Sequence, residues 1–222
     1  MDQLNINDTM SIINYGVNIQ NMMSELSACA FDTVKGIDLK GVGSALTELL
    51  DFFKSDKTTK TSYLENENYI DNIADRLKNH RVELLKDCEM LEQFCVINRE
   101  YIKEIIKLIE HAREVEEKMK EEKLTSDEKL RLGTLEKRIR ELEMSQTVAY
   151  SFEPQIKVVQ ENESQMAEKI QSALVNALAL WKRQQITSEN KESVVDANEL
   201  IMKGINELIE LQREGYSLVD KS

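Results

Sequence analysis

Cys88 and Cys95 stand seven residues apart, the spacing that brings two thiols onto one flank of a helix. A rise of 1.5 Å per residue separates them by roughly 10.5 Å along the axis, too far for a disulfide. Two readings follow. They form a thiol pair that reduces or traps a soft anion, or they are small apolar fillers beside a helix seam. His80 and His111 are far apart in the chain, and neither belongs to an H-x-x-x-H or H-E-x-x-H pattern. Zinc therefore lacks the ligand spacing it needs. Glu114, Glu116, Glu117, Glu121 and Glu122 offer oxygen to a hard cation, but such a run more often makes a solvated face near a helix end. No G-x-S-x-G elbow, glycine-rich phosphate loop or Cys–His pairing occurs. The expectation is a protein that is not an enzyme, with no catalytic residues, no metal and no cofactor.

Composition narrows the scaffold that carries these residues. The chain has 222 residues with one proline, seven glycines and 5% aromatics, which disfavours sheets. Charged residues make up 32%, mostly the helix formers Glu and Lys. Forty-one acidic against 29 basic residues give a net charge of −12, which repels phosphate backbones and argues against nucleic-acid partners. The densest basic stretch, Lys137-Arg138-Ile139-Arg140, is flanked by Glu136, Glu141 and Glu143 and reads as a solvated helix face with paired charges.

The N-terminus MDQLNINDTM has neither the basic start nor the apolar run of a signal peptide. The most apolar stretch, Ala173–Trp181, has nine residues and is interrupted by Asn176, well short of the ~20 that span a bilayer. A cytoplasmic protein with reduced Cys29, Cys88 and Cys95 is expected. Trp181 and its neighbours are the one hint of membrane-surface association, and the acidic balance opposes it.

The pattern along the chain predicts an all-α, elongated antiparallel helical hairpin, a coiled-coil bundle with extra terminal helices. Residues 1–54 hold N-terminal helices: one capped by Asp8 and running toward Lys35, then a break at Gly36, Gly41 and Gly43, then roughly Ser44 to Phe53. Residues 62–185 form the hairpin. A capping box at Ser62 and Glu65 opens its first arm. Positions alternately three and four apart follow: Ile70, Ile73, Leu77, His80, Leu84, Asp87, Leu91, Phe94, Asn98, Tyr101, Ile105, Leu108, Ala112, Val115 and Met119. Ile102, Ile106 and Ile109 widen this face, which predicts a third helix packed there. A second capping box, Thr125 and Glu128, starts the return arm with Leu132, Leu135, Ile139, Leu142, Gln146 and Ala149. Pro154 should kink that arm or start a new helix, followed by Ile156, Val159, Met166, Ile170, Ala173, Ala177 and Trp181. Arms of this length would each reach roughly 90 Å if unbroken. Residues 194–218 supply a C-terminal helix packing on the hairpin through Ile201, Ile205, Leu208 and Ile209. Asp87 and Asn98 are polar seam positions. Asp87 is either a register and partner device or a solvated residue in a loose stretch.

The block 135–184 carries a family resemblance. Its elements are Pro154-Gln155-Ile156, the VVQEN at 158–162, the EKIQS at 168–172 and the LWK at 180–182. Together with LLKDCEML at 84–91 and the stretch 194–215, they resemble the toxic anion resistance (TelA) family of bacteria. Cys88 stands where that family usually has asparagine, and few residues separate Trp181 from Val194 where the family continues with further helices. The resemblance implies a cytoplasmic bacterial protein associated with resistance to tellurite and with cell-envelope or antibiotic stress, and carries no mechanism with it. The leading expectation is a non-enzymatic stress protein acting through protein–protein contacts along a helical rod. The resemblance marks Asp87, Pro154, Gln155, Gln160, Gln171 and Trp181 as candidate interaction positions. A thiol-dependent detoxifier using Cys88 and Cys95, or a membrane-surface coiled-coil scaffold, are the alternatives.

Overall fold

The computed structural model describes residues 4–54, 63–121, 123–186, 202–207, 209, 210 and 213. Among the described residues α1 (Thr9–Asn14), α2 (Val17–Gly36), α3 (Leu39–Lys54), α4 (Tyr63–Glu121) and α5 (Ser126–Ile186) follow in order, and residues 202–207 are helical as well. No strand occurs among the described residues, so the fold is all-α. The chain divides into two units. Unit 1 comprises Met1–Asp32 with Leu91–Lys157, and unit 2 comprises Thr33–Met90 with Val158–Ser222.

In unit 1, α4 and α5 run antiparallel. Their pairings Asn98–Ala149, Arg113–Glu143 and Lys120–Glu136 climb one helix as they descend the other. The turn between them is set locally. Thr125 donates its backbone N–H to Glu128 Oε2 at 2.7 Å, and Glu128 returns its own N–H to Thr125 Oγ1 at 3.4 Å, the reciprocal bonds of a capping box. The expected a and d positions close the core: Ile105, Leu108, Ala112 and Met119 meet Leu135, Ile139, Leu142 and Ala149. The widened face finds its third layer, because Ile12, Tyr15, Ile19 and Met23 join the same core beside Ile102 and Ile109.

The N-terminal stretch differs from expectation. Asp8 does cap α1, accepting from the Met10 N–H at 3.0 Å, but the helix ends at Asn14 and α2 begins at Val17. Gly16 makes the break with φ of 74°. A Cβ there would also come within 2.8 Å of Leu142 Cδ2, so both conformation and space call for glycine.

Unit 2 packs Leu46, Leu49, Phe53, Ile70, Ile73, Leu77, Leu84, Met166 and Ile170 into one core, with Ile205 from the C-terminal stretch buried among them. Here α3 starts at Leu39, earlier than the expected Ser44, and takes in Gly41 and Gly43. Asp38 explains this by accepting the Gly41 N–H at 2.8 Å, an N-cap that outweighs two poor helix formers. Pro154 starts no new helix, since α5 continues through it. Ser62 and the Glu65 side chain of the expected cap, residues 55–61 and 187–193, Ile201 and Leu208 lie outside the described residues, as do the side chains of Ala177 and Trp181. Ile186, expected to open the second link, ends α5.

Candidate functional site

The seam of unit 2 is polar at one level, where α4 presents Asp87 and Cys88 and α5 presents Gln160 and Glu163. Gln160 Nε2 donates to the Cys88 carbonyl at 2.8 Å, clamping the two backbones together. The Cys88 thiol faces the Gln160 carbonyl at 3.6 Å and Glu163 Oε2 at 3.3 Å. Glu163 is only 2% exposed, and its second oxygen, Oε1, has no hydrogen-bond partner. A carboxylate in that position must either shed its charge or lose hydration without return. Burial raises Glu163 to about 7; the Cys88 hydrogen bond opposes this and the charge of Asp87 adds to it. Burial also raises Asp87, reinforced by Glu83. The Cys88 thiol is pushed up to about 12 by burial and by the neighbouring Glu163 charge.

That setting disfavours thiolate chemistry at Cys88. A thiol attacks or binds a soft anion as its thiolate, and an acidic, half-buried setting suppresses the thiolate at neutral pH. Cys95, in unit 1, is fully buried and raised as well, first by burial and then by Glu153 and Glu92. Both cysteines sit as seam groups. Arg99 and Lys157 pull Cys95 down, but burial and the carboxylates outweigh them, and the only charged side chains acting on Cys88 are carboxylates. Cys29 is exposed. Among the described residues no three His, Cys, Asp or Glu side chains converge as metal ligands.

Unit 1 has two polar ties of its own. Buried Asn98 donates Nδ2 to the Ala149 carbonyl at 2.9 Å, fixing α4 against α5 as a polar seam residue can. Beside it Arg99 bonds Glu153 through both nitrogens of a fork, with Nε at 2.9 Å, and holds that carboxyl down at about 2 with help from Lys157. The second tie corrects an expectation. Arg138, read from sequence as part of a solvated face, is 6% exposed. It donates Nε to the Tyr15 carbonyl at 2.6 Å, Nη2 to Gln20 Oε1 at 2.6 Å and Nη1 to Glu141 at 2.9 Å. The Tyr15 hydroxyl meanwhile reaches the Leu108 carbonyl at 3.1 Å. Together these groups anchor the α1–α2 junction on α4 and α5.

Of the positions singled out from sequence, the structure brings Asp87 and Gln160 together at the unit 2 seam. Pro154, Gln155 and Gln171 are exposed on α5. His80 lies near Asp38 and Glu83, and His111 is exposed against the Tyr15 ring. Glu163 was missed. The spacing did carry it, because Val159, Glu163 and Met166 are steps of four and three on the same stripe as Ile156 and Ile170.

The model of the toxic anion resistance protein (TelA) family matches residues 51–212. A TelA-like protein of Staphylococcus saprophyticus is 27% identical over 247 residues, covering 91% of this chain and 66% of that protein. One from Staphylococcus epidermidis is 29% identical over 89% of this chain and 65% of its own length. One from Staphylococcus aureus strain Mu50 is 26% identical over 96% of this chain and 68% of its own. The chain therefore spans about two thirds of the length of these relatives. No solved structure matches it. Among the described residues no helix is long and apolar enough to cross a membrane.

Proposed function

Because the chain belongs to the toxic anion resistance protein (TelA) family, we propose that it is a non-enzymatic cytoplasmic stress protein that acts through helical protein–protein contacts. One observation carries the reading. At the seam level where a thiol, two carboxyls and an amide meet, the hydrogen bonds run from helix to helix, and the thiol is held protonated. Such a level serves register and pairing. A thiolate-based detoxifier would need the opposite electrostatics, a cation or helix N-terminus beside the sulfur.

The test is a double Cys88→Ser, Cys95→Ser variant in a host whose tellurite tolerance depends on this protein. Unchanged tolerance is expected, since serine retains a small polar seam group and the proposed role uses no sulfur. Tolerance lost while the protein remains folded and at wild-type abundance would establish the thiol-dependent reading in its place.

A further inference from the structure

Along the outer face of α5 in unit 1, six side chains fall at steps of four and three: Leu130, Thr134, Lys137, Glu141, Met144 and Val148. The three apolar members are among the most exposed large hydrophobics of the chain, Leu130 at 71%, Met144 at 70% and Val148 at 64%. The α5 core stripe of Leu135, Ile139 and Leu142 is already used, so this is a second stripe of coiled-coil spacing on the same helix. Its order is self-complementary. Laid antiparallel on a copy of itself about position 139, Leu130 meets Val148, Thr134 meets Met144 and Lys137 meets Glu141. A twofold contact requires this reciprocity, each residue facing the partner of its counterpart. The two central layers then bring together Lys137–Glu141 pairs that each chain already makes at 3.7 Å, the next two set Thr134 against Met144, and the outermost two are apolar.

The surface beside the stripe has room for the copy. A groove of about 460 Å³ runs between α1 and α5, with Ile13, Leu130, Gly133, Thr134 and Lys137 among its lining. Val148 of a second chain would enter it between Leu130 and Ile13, and Met144 would lie over Gly133 and Thr134. Gly133 fits the same picture. A Cβ there would meet no other part of this chain within 4 Å beyond its own helix backbone, yet glycine costs a helix interior about 1 kcal/mol against alanine. A bare backbone at that point admits a neighbouring helix closely.

We propose that this face of α5 is a self-association seam, through which two copies of the chain pair with their α5 helices antiparallel. The inference stands apart from the stress role, because sedimentation reads it whatever the chain does in the cell.

Sedimentation of the full chain up to about 1 mM should show a monomer–dimer equilibrium. Val148→Asp places a charge in both outer layers and should weaken the dimer at least about 100-fold. Because Val148 is mostly exposed, helical circular dichroism should be unchanged, and Leu130→Asp should behave alike. Register is read by a short thiol cross-linker in a Cys29→Ser background. A mixture of Leu130→Cys and Val148→Cys chains should cross-link, while either variant alone should not exceed the background. A wild-type chain that stays monomeric throughout overturns the proposal. So does a dimer indifferent to both aspartates, or one that cross-links like residues in preference to the mixture.

Discussion

Replacing Glu163 by glutamine keeps the shape of a buried seam side chain and removes its charge. The folded chain holds this proton to about pH 7, against an ordinary carboxyl value of 4.5. Folding thus favours the protonated form, so the stability this group contributes is complete below about pH 4.5 and is lost as pH rises to about 7. At about 1.36 kcal/mol per pKa unit, the interval corresponds to about 3 kcal/mol. The charged and titratable groups facing Glu163 from α4 are Asp87 and Cys88, and neither is a cation that would offset its charge. Glutamine escapes the loss and its amide oxygen can still accept from Cys88, but its NH2 takes the place of the partnerless Oε1 at a cost of about 1 kcal/mol. The assay is thermal unfolding followed by helical circular dichroism for both proteins from about pH 5 to about pH 8. The wild type should be equal or slightly more stable at the acid end. At the alkaline end Glu163→Gln should lead by about 2 kcal/mol, or roughly 5 °C. Parallel melting curves across that range would refute the reasoning, since they would mean that Glu163 is solvated in the folded state.

Asp87→Leu removes a second disfavoured charge from the same level and should raise stability by about 1 kcal/mol in chemical denaturation. Combined with Glu163→Gln it should give less than the sum of the two, because each relieves repulsion by the other. Arg138→Met strands the Tyr15 carbonyl and Gln20, and should lower the urea midpoint by the equivalent of about 2 kcal/mol while exposing the α1–α2 junction to protease. Gly16→Ala forces a side chain into a left-handed backbone and against Leu142, and should cost about 2 kcal/mol by the same measurement.

Much of this molecule is local in origin and was legible in the chain. Asp8 before α1, the Thr125–Glu128 box and the alternation from Ile70 to Met119 act between residues within a turn or two of each other. Helix identity, the turn between α4 and α5 and most of both cores therefore followed from spacing alone. The breaks were less legible because a glycine has two uses. Gly16 ends a helix with a positive φ, while Gly41 lies within α3 because Asp38 caps its N–H. Local spacing cannot separate these cases, since the Leu142 side chain that crowds Gly16 comes from a helix more than a hundred residues away.

The polar groups show the division most clearly. Periodicity placed Asp87 and Asn98 on the seam, and the same spacing reaches Glu163. Whether such a group is hydrated, bonded or stranded depends on what the opposite helix puts across from it. Ala149 offers Asn98 a carbonyl, whereas Glu163 meets a thiol with one oxygen and nothing with the other. Arg138 is the sharpest case. Glu136, Lys137, Arg140 and Glu141 around it in the chain are charged, so its local pattern is that of a solvated face. Only the docking of Tyr15 and Gln20 takes it out of water, because burial is a property of the surfaces that meet and not of the residues that flank it.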